Sequence, residues 1–327
     1  MRALVLHTTD DGIDPRLEDV DPAQLPEGDV LIDVSHSSLN YKDGLAVTGT
    51  GKIVRGEFPF VPGIDLVGTV AESRSDRWAE GDAVVLTGWG TGENRWGGYA
   101  EQARADAGHL VALPAGLGPE DAMAIGTAGF TAMLSVMALD HAGVTDGDVA
   151  VTGASGGVGS TAVALLAHAG YRVHAFTGTP SAHDALRRLG AAEVHDRSEL
   201  AEPPATPLGS GRWAGAVDSV GGTTLATLLA TTDRRGCVAA CGLAGGHDLA
   251  TTVFPFILRG VTLAGIDSNT SPPDERQRAW DRLAEASAAG ALDAVARTTI
   301  GLADVPEWAG RIVSGATVGR VIVDVRR

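Results

Sequence analysis

The most chemically specific stretch of the chain is Val151–Tyr171, VTGASGGVGSTAVALLAHAGY, with glycines at 153, 156, 157 and 159 between an apolar run and a small-residue run. A tight turn after a strand, close approach of backbone N–H groups to phosphate, and packing of a helix on a sheet each favour a residue without a Cβ. The Gly153-x-x-Gly156-x-x-Gly159 spacing therefore predicts a nucleotide pyrophosphate seated on a helix N-terminus, with Ser155, Gly156, Gly157 and Val158 as its cradle. The next apolar run, YRVHAF, ends at Thr177, Gly178 and Thr179, where a site for NAD would carry Asp or Glu to hold the ribose hydroxyls. With no carboxylate there, a 2′-phosphate meets no repulsion, and Thr177, Thr179 and Ser181 offer it hydroxyls; the expected cofactor is NADPH. The basic residue that would hold the phosphate is missing from this stretch, and Arg187 and Arg188 read equally well as a solvated helix face.

A second group with chemical potential is Lys42, Lys52 and Arg55, which gathers the chain's only two lysines into one short segment. In a protein of formal net charge -16, such a cluster suggests a phosphate-bearing ligand or, equally, chance within an arginine-biased composition. The same net charge argues against broad contact with nucleic acid or an anionic membrane. Cys237 and Cys241 fall in one apolar run, too far apart along a strand for a disulfide, and read as buried thiols. The nine histidines show no clustered ligand spacing, so no metal is expected.

These residues need a scaffold, and 327 residues with 44% hydrophobic and 20% charged content allow two cored domains. Strand, glycine turn, helix and strand over 148–176 make a βαβ unit, and apolar runs at 214–220, 237–243 and 261–266 extend it into a doubly wound parallel sheet. Residues 1–121 read as short alternating strands, RALVL, DVLIDVSHSSL, DLVGTVAES, AVVLTG and HLVALP, which suggest a small β-rich barrel. A helix from about Pro273 to Ala289 and a final β-like run, RVIVDV, return the chain to that barrel. No apolar run approaches the roughly 20 residues of a membrane span, and the first residues lack a signal peptide, which gives a cytoplasmic expectation.

Seven strings in order, SLNYKD, VPGID, LTGWGTGENRWGGYAEQ, GTAGFTAML, VTGASGGVGSTAVALL, CVAACGLAGG and TTVFPFILRGVTLAGIDS, resemble the medium-chain dehydrogenase/reductase superfamily, and within it the acrylyl-CoA reductase branch. The resemblance runs essentially end to end. It implies an α/β chain with a GroES-like β-rich domain (1–121 and 268–327) and a Rossmann domain (122–267) flanking a cleft. It also implies NADPH-dependent, zinc-free reduction of a short enoyl thioester such as acrylyl-CoA, or of a quinone or other enone, by a homodimer paired through the VTLAGI strand. Ser219, Leu243, Ile257 and Ser268 join the cofactor contacts on the same ground. Relatives carry Ser-Gly-Arg where this chain has Thr177-Gly178-Thr179.

Zinc alcohol dehydrogenases of the superfamily hold their metal with a Cys, a His and a further ligand. Here both cysteines lie outside the first domain, and Pro62-Gly63-Ile64-Asp65 stands in place of Gly-His-Glu. Hydride transfer would then be directed at a carbon–carbon double bond already conjugated to a carbonyl. Asn40 and Tyr41, which face the nicotinamide in similar folds, are the candidates for stabilising the enolate oxygen and delivering the proton. Tyr41 also reads as a packing surface for the nicotinamide. Lys42, Asp43 and Arg104 have surface readings, and the ENRWGG loop with Trp89 and Trp96 reads either as cleft lining or as a packed turn.

Overall fold

Six short strands, all paired in parallel, organise the middle of the chain in the computed structural model, which describes residues 1–202 and 206–327. Contacts divide the chain into two units, residues 1–127, 269–284 and 297–327 in the first and 128–268 with 285–296 in the second.

The first unit begins with β1 (Arg2–Thr9) and β2 (Gly12–Asp19), an antiparallel pair, and continues through β3 (Val30–Leu39), α1 (Tyr41–Thr48), β4 (Asp65–Ser73), β5 (Ala83–Thr87), β6 (Gln102–Ala105) and β7 (Val111–Ala112). Strand β3 is the spine. One edge pairs with β4, while the other pairs with β6 at Val30–Asp33 and with the chain's last strand at His36–Leu39. Alternate residues Val30, Ile32 and Val34 are fully buried, as a half-buried antiparallel strand requires. Two of these strands were not legible as apolar runs: β2 carries Pro15 and is largely half-buried, and β6 reads QARA.

Helix α2 (Pro119–His141) crosses from the first unit to the second and is broken at Gly126, whose φ of 48° is left-handed. The helix is long and apolar enough to cross a membrane by length and composition, which corrects the expectation that no run approaches that length; 78% of its apolar window is buried inside the protein, as in a core helix.

The second unit contains β8 (Asp148–Val151), α3 (Gly157–His168), β9 (Arg172–Thr177), α4 (His183–Arg188), β10 (Glu193–Asp196), β11 (Trp213–Asp218), α5 (Gly222–Thr231), β12 (Thr232–Ala240), α6 (Phe254–Arg259) and β13 (Thr262–Gly265). Its strand order is β10-β9-β8-β11-β12-β13, which places the β8–α3 turn at the point where the order reverses. Strands β8 and β11 are central and buried, hence their continuous apolar runs; β10, at the edge, reads EVHD and carried no such signal. Cys237 lies in β12, and Cys241 falls one residue beyond it.

The chain then returns through α7 (Pro273–Ala288), β14 (Arg297–Gly301), α8 (Val305–Val313) and β15 (Arg320–Asp324). Strands β14 and β15 extend the first unit's sheet beyond β3. Helix α8 packs against α1 so closely that a Cβ on Gly44 would lie 3.0 Å from Val313 Cγ2.

Candidate functional site

Each glycine of the β8–α3 turn has its own steric cause. Gly153 adopts φ +58°, a left-handed conformation, and a side chain there would strike the Ser219 hydroxyl. Gly159, in the first turn of α3, lies directly on the Gly153 carbonyl and Ala154 Cα. A Cβ on Gly156 would meet only the Gly153 carbonyl, at 3.3 Å, so the face it presents is open. No side chain caps the N-terminus of α3 at Gly156, and the helix dipole there favours an anion approaching the first-turn N–H groups.

Beside the turn, the end of β9 contributes a hydroxyl cluster. Thr177 Oγ1 donates to Ser155 Oγ at 2.9 Å, Ser155 Oγ to Thr179 Oγ1 at 3.5 Å, and the Thr179 backbone N–H to Thr177 Oγ1 at 3.1 Å. Thr177 is 2% exposed and acts inside the cluster, whereas Gly178 is exposed. A cation lies just beyond the neighbouring strand β10, in the turn Arg197–Leu200. Pairing of Asp196 with Thr177 in the β10–β9 register brings Arg197 over Gly178, where an added Cβ would lie 2.6 Å from Arg197 Nε and 2.7 Å from its Cδ. Arg197 is not legible in the sequence because β10 has no apolar run; the register of β10, third in chain order in this sheet, is the signal that finds it. Arg187 and Arg188 sit on the exposed face of α4, Arg187 paired with Asp184 at 3.0 Å.

Asp218 ties β8 to β11: it accepts from Thr152 Oγ1 at 2.6 Å and from the Gly221 N–H at 2.8 Å, and burial raises its pKa. Ser219 follows and donates its hydroxyl to the Thr152 carbonyl at 3.1 Å. Leu243 and Ile257 are 66% and 68% exposed, and Ser268 is half-buried.

In the first unit, β3 delivers Asn40 to the start of α1, and Tyr41 is the first helical residue, 49% exposed. Asn40 is 8% exposed, and its side chain is fully engaged. Its amide nitrogen donates to Asp65 Oδ2 at 2.9 Å, Ser38 Oγ at 3.0 Å and Asp43 Oδ2 at 3.1 Å, while its Oδ1 accepts from Arg320 Nη1 at 3.1 Å. This corrects the expectation that Asn40 meets the reacting atoms, because its donors and acceptor are already used within the protein.

Asp43 is also misplaced by a surface reading: it is 1% exposed and accepts from the Asn40 and Ile64 backbone N–H groups, each at 2.9 Å. Burial, and then the charge of Asp65, push its pKa up to about 7. Arg320 anchors the network from β15, donating to the Ala124 carbonyl at 2.7 Å just before the break in α2. A Cβ on Gly126 would lie 2.5 Å from Asp65 Oδ2 and 2.8 Å from Arg320 Nη2, so the helix break lets the chain pass this network.

The basic cluster is only partly available. Lys42 Nζ pairs with Glu93 Oε1 at 2.8 Å, whereas Lys52 and Arg55 are exposed. Arg104 lies 3.7 Å from Glu72. Trp89 stacks on His109 at 4.5 Å, and both Trp89 and Trp96 pack on the first unit's core, which favours the packed-turn reading of their loop.

The donor set in the first unit does not fit a catalytic zinc. Asp65 Oδ2 accepts from Ser38 Oγ, Asn40 and the Thr127 N–H, and its Oδ1 from Thr127 Oγ1. Both thiols lie in the second unit, pushed by burial up to about 11 for Cys237 and about 12 for Cys241, far from the thiolate form zinc requires.

Residues 26–115 match the "Alcohol dehydrogenase GroES-like domain" family and residues 157–285 the "Zinc-binding dehydrogenase" family. The chain is 53% identical to the "Probable acrylyl-CoA reductase AcuI" of Escherichia coli, over 99% of this chain and 100% of that one. It is 43% identical to the "Putative quinone oxidoreductase YhfP" of Bacillus subtilis over 98% of each chain; a YhfP crystal structure with NAD bound superposes with a TM-score of 0.94, covering 99% of each chain. The yhdH oxidoreductase of Salmonella enterica, crystallised with NADP, superposes with a TM-score of 0.96 at 53% identity, covering 99% of this chain and 100% of that one. With a GroES-like unit, a Rossmann unit of reversed strand order and full-length relatives at this identity, the chain belongs to the medium-chain dehydrogenase/reductase superfamily.

Proposed function

We propose that the protein reduces the carbon–carbon double bond of a short enoyl thioester, acrylyl-CoA to propionyl-CoA, at the expense of NADPH. The observation that carries the cofactor assignment is Arg197 lying over Gly178 beside an uncapped glycine turn. The substrate rests on full-length similarity to the Escherichia coli relative. Bound NADPH supplies a hydride, which adds at Cβ of the substrate.

The chain's own residues supply the rest. The first-turn N–H groups of α3 hold the pyrophosphate, and Ser155, Thr179 and Arg197 hold the 2′-phosphate. The Tyr41 phenol, half-exposed at the start of α1, donates to the thioester oxygen as charge develops there or passes its proton to Cα. Asn40, Asp43, Asp65 and Arg320 act behind it as positioning residues that fix the first turn of α1. Lys52 and Arg55 remain the candidates for the CoA phosphates.

We further propose a cytoplasmic homodimer. The outer edge of β13 has no strand partner among the described residues, and Val253, Phe254 and Leu258 nearby are exposed apolar side chains that a second copy would cover. Light scattering of the purified protein tests this.

A quinone or general enone reductase is the second reading, favoured by the name of the Bacillus subtilis relative. Rates of NADPH and NADH oxidation with acrylyl-CoA, crotonyl-CoA and a benzoquinone decide between them. Efficient turnover of acrylyl-CoA alone supports the thioester assignment, and turnover of the quinone alone overturns it.

A further inference from the structure

The parallel register of β9 and β10 assembles a group of ligands that linear spacing concealed. Glu193 pairs with His174 and His195 with Phe176, so the side chains of His174, Glu193 and His195 emerge on one face of the sheet. Their ligand atoms all lie within 4.8 Å of one another. His174 Nδ1 is 3.0 Å from His195 Nε2, and Glu193 Oε2 is 3.9 Å from the first and 3.7 Å from the second. The centre of that triangle lies about 2.1 Å from each atom, the length of a zinc–nitrogen or zinc–oxygen bond.

The outer nitrogens of both rings face carboxylates. His195 Nδ1 is 3.3 Å from Glu199 Oε1, and His174 Nε2 is 3.4 Å from Asp148 Oδ2. Without a metal, one imidazole donates to the other across 3.0 Å. A cation bound between them displaces that proton, and the outer nitrogens, which face the carboxylates, keep theirs. The His174 side chain is only 5% exposed, and its Nε2 makes no hydrogen bond despite the nearby Asp148 oxygen. Metal on the opposite nitrogen makes that N–H a stronger donor and draws it toward the carboxylate.

The surroundings suit an ion of charge +2. Asp148, Glu193 and Glu199 outnumber Arg172, which bonds Glu193 through Oε1 and so leaves Oε2 turned to the histidines. Phe176 stacks on His195 at 4.7 Å, and the buried Trp213 meets His174 edge-on at 5.1 Å, an apolar wall that limits water on the inner side.

We propose that His174, His195 and Glu193 bind one borderline divalent metal ion, Zn²⁺ or Co²⁺, with the fourth position left to water. The site is structural. It joins the edge strand β10 to β9 and takes no part in hydride transfer.

The test uses untagged protein stripped with a chelator. Cobalt titration followed by visible absorption and zinc titration by calorimetry should each saturate at one equivalent per chain, and zinc should raise Tm. His195→Gln and Glu193→Gln should each weaken uptake at least tenfold and abolish the rise in Tm, while His247→Gln, at an exposed histidine, should leave both unchanged. Circular dichroism establishes that each variant is folded, and Glu193 is exposed enough for its substitution to be tolerated. Wild-type protein with no saturable uptake, uptake only at millimolar metal, or uptake retained in both variants overturns the proposal. A single proton shared by the two imidazoles, seen by nitrogen NMR in metal-saturated buffer, overturns it as well.

Discussion

Replacing Arg197 by Gln removes one cation and leaves every other group of the cofactor cradle in place. The guanidinium lies against the exposed face of Gly178, the residue before Thr179, whose hydroxyl accepts from Ser155. A charge-assisted contact to phosphate contributes about 1.5–3 kcal/mol. Solvent screening at this exposed position selects the lower half of that range, about 1.5–2 kcal/mol. At about 1.4 kcal/mol per decade, KM for NADPH should rise roughly 10- to 30-fold. NADH, which has no 2′-phosphate, should keep its KM. Raising the ionic strength should weaken NADPH binding in the wild type and have a smaller effect in R197Q, since the screened pair is gone. Gly178→Ala should act in the same direction but less strongly, because its Cβ would sit 2.6 Å from Arg197 Nε and force the side chain to swing aside. Thr179→Arg in the R197Q background restores the cation that relatives carry at that position and should recover NADPH affinity. Steady-state kinetics with both nucleotides is the assay. Equal changes in KM for NADPH and NADH, or no change in either, would refute the assignment of Arg197 to the phosphate.

Tyr41→Phe should lower turnover of acrylyl-CoA by about 100-fold or more if the phenol supplies the proton, and unchanged turnover removes it from that role. Gly126→Ala forces a side chain into a left-handed position against Asp65 and Arg320, and should destabilise the protein by about 2–4 kcal/mol in urea unfolding. The folded-state pKa of Asp43, near 7, lies above its ordinary value of 3.8. Its contribution is therefore fully present below pH 3.8 and is lost as pH rises through 7, an upper bound of about 4 kcal/mol. The fall in wild-type stability from pH 4 to pH 8, compared with that of Asp43→Asn by urea titration, should exceed the variant's, and parallel curves would remove Asp43 as the source.

The glycine turn was legible because Gly153, Gly156 and Gly159 each answer to a cause a few residues away: a left-handed turn, an open face, a helix on a carbonyl. The central strands were legible because burial on both faces demands unbroken apolar sequence. Edge strands β2 and β10 were not, since one side faces water and GIDPRLED and EVHD carry no pattern that distinguishes them from loops. Arg197 and the His174–His195 pair depend on the register of β10, so they were lost with it. The polar network around Asn40 was hidden for another reason. A buried carboxylate such as Asp43 looks like any surface acid until its surroundings are known, and Arg320, which bonds Asn40 beside it, is 280 residues from Asn40.

That separation orders the birth of the molecule. The second unit, residues 128–268 with 285–296, is inserted between the segments that form the first. As the chain leaves the ribosome, the strands of the Rossmann sheet all precede β15, while Asp43 and Asp65 wait without the Arg320 guanidinium. Unit one is finished only when the last strand arrives. The Arg320 contacts to Asn40, Ser38 and Ala124 thus act as a lock closed from the far end of the chain. A polypeptide that stalls short of residue 320 carries a finished nucleotide-binding unit and an open, acidic first unit, a state that quality-control proteases can recognise by its exposed β3 edge.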